Sequence, residues 1–328
     1  MGTQVQGFLR QQLVERRHKL DEVVQAADAP PDFERLLNEV DTALAKIDTD
    51  CYGLCDACHE PIETDRLIAD PLVRFCLDHL TPLEIKALQR DLELAARVQR
   101  GLLPKQPYEG FGWHICYHYE PAGIVSGDYC DIVDAGERGV YFMVGDVSGK
   151  GVAASMLMAH LHAMFRALIS VGLSLECILE HASRVFAEST LPNQYATLVC
   201  GRALADGRIQ ISNAGHPAPL IARNGGVAAL EFSGLPVGMF CQEEFSVGEL
   251  TFEAGQFMVI YSDGVSEATD HSSFEYGVER LQTLMGKHRG KHPSDLLAAC
   301  RDDLADFRRE TVKADDATLF VISRVASA

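Results

Sequence analysis

Apolar residues recur at helical spacing over residues 4–26 (Leu13, Leu20, Val24) and 33–47 (Leu36, Leu37, Val40, Leu44, Ile47), which predicts two helices. Asp28-Ala29-Pro30-Pro31 between them is a helix stop and restart. The pair therefore reads as a hairpin whose helices, each marginal alone, pack on one another. Residues 51–80 are Cys-rich and lack a period. A third helix is expected over 82–103, with Pro82 near its first turn. Along it Ile85, Leu88, Leu92, Ala95, Gln99 and Leu102 step by three or four, a seam that suits either packing on the following domain or pairing of two copies. Leu103-Pro104-Lys105-Gln106-Pro107 ends this helix and marks a boundary.

From residue 112 the period changes. Residues 113–120, 129–134 and 140–144 are short alternating or apolar runs, with Gly136-Glu137-Arg138-Gly139 as the turn between the last two. Helices are predicted over 151–172 and 175–189. Strands are predicted over 195–203, 209–213, 219–223, 245–251 and 257–262, then helices over 275–288 and 294–308 and a last strand over 318–323. Hairpins dominate and helices come in pairs, so the class is α+β with antiparallel sheets. The expected layout is a helical hairpin with a Cys-rich module (1–81), a linker helix (82–104) and a larger domain (105–328).

Charge narrows the function. Against 29 Lys and Arg stand 47 Asp and Glu, a net charge of −18. Such a chain has no general attraction to nucleic acid or anionic lipid, so neither is an expected partner. With 47% hydrophobic and 23% charged residues, wholesale disorder is excluded. No run reaches the ~18 apolar residues of a membrane span, and the first residues lack a signal-peptide apolar core. A cytoplasmic location is the expectation, and in a reducing compartment clustered cysteines point to metal rather than disulfides.

Three of the ten cysteines cluster. Cys55-Asp56-Ala57-Cys58 and Cys76-Leu77-Asp78-His79 form a CxxC and a CxxH separated by residues 59–75. Two such knuckles supply the four ligands of a tetrahedral Zn²⁺, and four protein ligands leave no open position, so the site reads as structural. His59 and Cys51 are alternatives for the fourth ligand. The stretch ALAKIDTDCYGLCDACHEPIETDRLIADPLVRFCLDH resembles the DksA/TraR-type zinc finger over about residues 40–80, with His79 where that family usually has a fourth Cys. Full-length members of that family insert a long coiled coil into RNA polymerase. Here the hairpin is short and its DAPP loop departs from that tip, which favours a regulatory or scaffolding role.

The larger domain places four carboxylate motifs beside small residues: Ser126-Gly127-Asp128, Gly145-Asp146-Val147-Ser148-Gly149-Lys150-Gly151, Ser262-Asp263-Gly264 and Asp315-Asp316-Ala317-Thr318. Asp146 and Asp263 each follow an apolar run, where a carboxylate is costly unless solvated, paired or metal-bound. Any one Asp-Gly is ordinarily a turn. Several converging would repel one another without a divalent cation, and hard oxygen donors favour Mg²⁺ or Mn²⁺. GDVSGKG is not a phosphate loop, because its spacing is short and Gly151 replaces the required Ser/Thr.

These segments carry a second resemblance. ELAARVQRGLLP, PAGIVSGDYCD, GDVSGKGVAA, NQYATL, NAGHPAPL, GLPVGM, YSDGVSEA and DDATLFV occur in the order found in the SpoIIE-type branch of the PPM serine/threonine phosphatases, from about Glu93 to Val321. The resemblance implies an αββα sandwich of two antiparallel sheets with two Mn²⁺ or Mg²⁺ ions at one end. It implies that Asp146 bridges the ions, that the Val147 carbonyl binds one, and that Asp263 and Asp315 bind the other. Asp128 would support the cluster, and the tandem Asp315-Asp316 leaves either as ligand, with Asp315 favoured. Ser126 and Cys130 depart from the usual pattern without removing a ligand. His216 in NAGHP reads as a buried structural histidine at least as well as an acid. The implied activity is hydrolysis of phosphoserine or phosphothreonine by a metal-activated water, with Asp146 and Asp263 as the catalytic carboxylates. The implied substrate is a phosphorylated STAS-type anti-sigma-factor antagonist in a partner-switching pathway. The alternative is a non-catalytic transcription-regulatory or RNA polymerase-binding scaffold acting through the zinc module.

Overall fold

The computed structural model describes residues 3–25, 31–49, 51–105, 107–191, 193–223, 226–231, 233–240, 244–309, 311 and 313–325. It separates into two compact units, Met1–Arg90 and Asp91–Ala328. Helix α4 (Pro82–Leu102) runs across the boundary between them.

In the first unit α1 (Thr3–Val24) and α2 (Pro31–Asp48) form the predicted hairpin. The turn residues Asp28, Ala29 and Pro30 lie outside the described residues. Leu9, Leu13 and Leu20 of α1 meet Val40, Ala43 and Ile47 of α2, and this core continues into Tyr52, Cys55, Ile62, Leu67 and Cys76. The segment read as irregular contains one short helix, α3 (Thr64–Ala69), and a 3-10 turn at Leu77–His79. Six residues are too few to display an amphipathic period, which is why α3 is not visible in the pattern.

The second unit is an αββα sandwich. One sheet has six strands in the order β1 (Tyr108–Gly110), β2 (Trp113–Glu120), β11 (Ala317–Arg324), β10 (Phe257–Tyr261), β7 (Leu220–Arg223) and β8 (Gly226–Ala229). The other has five, β3 (Asp128–Asp134), β4 (Val140–Val147), β5 (Ala196–Ala203), β6 (Arg208–Ala214) and β9 (Gly248–Thr251). Every strand pair within the two sheets is antiparallel. Helices α5 (Gly151–Val171) and α6 (Leu175–Ser189) cover the five-stranded sheet, while α8 (Val278–Lys287) and α9 (Pro293–Arg308) cover the other. A one-turn helix, α7 (Asp263–Ser266), follows β10.

Period-2 alternation divides the strands between cores. Ile115, Phe142, Val144, Met258, Ile260, Phe320 and Ile322 point between the sheets. Their neighbours Tyr141 and Met143 face α5 and α6, and Val259, Leu319 and Val321 face α8 and α9. Because both faces are covered, many strands are apolar throughout rather than alternating. Helix α5 is long and apolar enough to cross a membrane by composition alone, but its Met158, Leu161, Phe165 and Ile169 lie in the helix–sheet core.

Three expectations shift. Strand β4 runs on to Val147, so Asp146 is inside the ladder rather than after it. Helix α8 begins at Val278, because Gly277 at φ 75° turns the chain just before it. Only Gly248–Thr251 of the run 245–251 pairs as a strand.

Candidate active site

The alternation that builds the inter-sheet core also builds the site. In β4, Asp146 continues the inward series Phe142, Val144, and in β3, Asp128 continues Ile132, Cys130. Ser262 and Thr318 likewise extend the inward series of β10 and β11. Antiparallel order brings the start of β3, the end of β4, the end of β10 and the start of β11 to one end of the sandwich. Asp128 and Asp146 are direct cross-strand partners.

Asp128 is the inner member, 1% exposed. Its Oδ2 accepts from Ser262 Oγ at 2.9 Å and from Thr318 Oγ1 at 2.5 Å, so one carboxylate clasps both sheets. Burial, then the neighbouring Asp146 charge, raises its pKa well above the ordinary carboxylate range. Asp316 is similarly engaged: Ala122 N–H donates to Oδ1 at 2.7 Å and Gly127 N–H to Oδ2 at 2.8 Å. It holds the loop before β3. That loop is also gripped from α4, where Gln99 Nε2–H donates to the Ser126 carbonyl at 2.7 Å and Gln99 Oε1 accepts the Ser126 N–H at 3.0 Å.

The remaining carboxylates face one another more openly. Burial followed by the charges of Asp263, Asp315 and Asp316 pushes Asp146 up to about 7. Burial followed by Asp315 raises Asp263. Lys150 Nζ donates to Asp315 Oδ2 at 2.9 Å and to the Ala314 carbonyl at 2.9 Å. Two glycines allow this convergence. A methyl group at Gly127 would stand 3.2 Å from both Asp146 Oδ1 and the Val147 carbonyl oxygen, so these two donors border one small space. A methyl at Gly264 would collide with the Asp316 carbonyl, so the Asp263 turn packs directly on the Asp315-Asp316 segment. All the donors are hard oxygens, a set that suits Mg²⁺ or Mn²⁺.

His216 is buried, with its backbone N–H and carbonyl both bonded to the Asn213 side chain and its Nδ1 2.9 Å from Thr197 Oγ1. Burial pulls it down to about 3, which leaves it neutral and structural.

The first unit holds a second candidate centre. Cys55, Cys58, Cys76 and His79 present donor atoms that all lie within 4.8 Å of one another, and among the described residues no other group of three or more Cys, His, Asp or Glu is that compact. Cys58 and Cys76 sulfurs are 3.7 Å apart, and Cys76 Sγ is 3.3 Å from His79 Nδ1. Burial acts to raise Cys55, but the N–H groups of Cys76, Cys58 and Ala57 outweigh it and bring the thiol down to about 6. Three sulfurs and one imidazole at this spacing fit tetrahedral Zn²⁺. Neither Cys51 nor His59 belongs to the quartet.

The supports of the site leave little trace in the sequence. Gln99 stands in the seam of α4 and looks like an ordinary polar interruption, and Ser262 and Thr318 look like strand-end hydroxyls. Only their partners in the folded chain, Ser126 for Gln99 and Asp128 for the two hydroxyls, give them a role. Glu267, raised by burial and then by Asp263, likewise carries no signal of its own in the sequence.

Residues 136–325 match the family described as stage II sporulation protein E (SpoIIE), and residues 52–78 match the prokaryotic dksA/traR C4-type zinc finger. Protein IcfG of Synechocystis sp. is 27% identical over 268 residues, 71% of this chain and 41% of that protein. Phosphoserine phosphatase RsbP of Bacillus subtilis is 28% identical over 187 residues, 55% of this chain and 46% of that protein. The chain thus spans less than half the length of these two curated relatives. Among solved structures, the RsbU and RsbW domains of Rv1364c from Mycobacterium tuberculosis superpose with a TM-score of 0.58 at 27% identity, covering 69% of this chain and 62% of that one.

Proposed function

Since the chain belongs to the SpoIIE family, we propose that it is a metal-dependent protein serine/threonine phosphatase. The observation that carries this reading is the meeting of Asp146, the Val147 carbonyl, Asp263 and Asp315 at one end of the two sheets. In this reading Asp146, the Val147 carbonyl, Asp263 and Asp315 would hold Mn²⁺ or Mg²⁺. Asp128 and Asp316 act behind them, as the inter-sheet clasp and the loop anchor. Bound divalent cations would supply the charge that neutralises phosphoryl oxygens and acidifies water. The chain's own part is to hold four oxygen donors against their mutual repulsion, with Lys150 at the rim beside Asp315.

The finer reading is that the substrate is a phosphorylated STAS-type anti-sigma-factor antagonist, supported by the phosphoserine phosphatase named among the relatives. The module order 1–81, 82–104 and 105–328 then suggests that the Zn²⁺ module informs the phosphatase through α4. Within the seam of α4 Ile85 and Leu88 are exposed, which supports pairing of two copies along that part of the helix, while Gln99 turns onto Ser126. The test is hydrolysis of a phosphoserine peptide and of phosphorylated STAS proteins by the full chain. EDTA should abolish turnover and Mn²⁺ restore it. Turnover that is indifferent to both would refute the reading, and would favour the scaffold alternative if no phosphoester is cleaved at all.

A further inference from the structure

At the end of the sandwich remote from the carboxylates, a cleft of about 720 Å³ opens beneath the start of α9. Its floor is a row of directly opposed residues across four strands: Glu109 on β1, His114 on β2, Ser323 on β11 and Phe257 on β10. His114 is 3% exposed, and neither of its ring nitrogens has a hydrogen-bond partner. A buried imidazole with both nitrogens unsatisfied is costly and calls for an explanation. Its Nε2 lies 3.5 Å from Glu109 Oε1, too far for a hydrogen bond. The His292 ring stands 4.5 Å away, centroid to centroid, at 75°. His292 is the exposed residue that precedes α9, and its Nδ1 takes only a long 3.4 Å contact from the Ser294 N–H.

We propose that Glu109, His114 and His292 form a second transition-metal site, one that takes Zn²⁺ or a similar borderline cation through two imidazoles and a carboxylate. Two ligands on one tetrahedral Zn²⁺, each ~2.0–2.1 Å from the metal, are about 3.4 Å apart. The Glu109–His114 separation already matches this, and the register of the β1–β2 hairpin holds it. The turn of that hairpin, Phe111-Gly112, has positive φ at both residues (54° and 73°), the tight geometry that places positions 109 and 114 opposite each other. His292 completes the set by a side-chain rotation, at the small cost of its long contact to Ser294. Three protein ligands leave the fourth position for water or an incoming group. Arg324 and Lys291 also border the cleft, and their positive charges oppose a cation there. The Arg324 guanidinium is fixed by the carbonyls of Phe111, Gly112 and Ala205. Bound metal would strap the β1–β2 hairpin to the start of α9.

The test is the zinc content of the full chain after equilibration with Zn²⁺ and gel filtration, compared among wild type, Glu109→Gln and His292→Ala. Both positions are exposed, so the folds should survive, which circular dichroism checks. The wild-type chain should carry one zinc more than either variant, and Cys55→Ser should keep that extra ion while losing the one in the first unit. Equal zinc content in the wild type and either variant would overturn the proposal. The readout is metal stoichiometry, so it stands or falls apart from phosphatase activity.

Discussion

Gln99→Ala tests whether α4 holds the candidate active site in shape. Gln99 is 6% exposed and Ser126 is fully buried, and the two bonds between them are 2.7 and 3.0 Å long. Alanine at 99 leaves one N–H and one carbonyl of Ser126 without partners where water does not reach. At about 1–3 kcal/mol for each orphaned group, the second unit should lose roughly 2–6 kcal/mol of stability. The damage should also reach the site. Ser126 Oγ accepts the Asp128 N–H at 3.1 Å, and Gly127 lies against Asp146 and the Val147 carbonyl. We expect the Mn²⁺ concentration for half-maximal turnover to rise about tenfold, which is about 1.4 kcal/mol of metal affinity, while the rate at saturating Mn²⁺ stays within about threefold. Urea unfolding gives the stability, and a Mn²⁺ titration of phosphopeptide hydrolysis gives the rest. A loss below about 0.5 kcal/mol with a wild-type Mn²⁺ requirement would refute the reasoning.

Other outcomes follow from the same geometry. Asp146→Ala and Asp263→Ala should each lower phosphopeptide turnover by about 10²-fold or more, with folding intact by circular dichroism. In EDTA, stability should fall as pH rises from about 4 to about 7. Asp146, raised to about 7 by burial and its acidic neighbours, holds its proton in the folded chain over a range where the unfolded chain has released it. Mn²⁺ should abolish that decline, which thermal melts across the range would show; a flat profile in EDTA would count against the carboxylate cluster. Removing Zn²⁺ with a strong chelator should expose Cys55, Cys58 and Cys76 to thiol reagents and loosen the α1–α2 core they continue, seen as faster labelling and lost helicity. Labelling unchanged by chelation would argue against a filled quartet.

The sequence by itself determined the parts whose cause is local. Helical spacing marks α1, α2 and α4, alternating or continuous apolar runs mark most of the strands, and the CxxC and CxxH knuckles hold their ligands within a few residues of each other. The acid motifs were legible too, because Asp beside Gly at the end of an apolar run is an unusual expense. What the sequence left open is which carboxylate does what. Asp315 and Asp316 are adjacent and chemically identical, and only the tertiary structure separates them. Asp316 is bound to the backbone of the loop before β3, whereas Asp315 faces Asp263 and Lys150. Asp128 likewise becomes a clasp only because Ser262 and Thr318 arrive from the opposite sheet, more than 130 residues later in the chain. Gln99 and the row from Glu109 to Phe257 are invisible for the same reason. Periodicity reports which face a residue takes, but its partner on that face is set by strand order and register, which long-range packing decides.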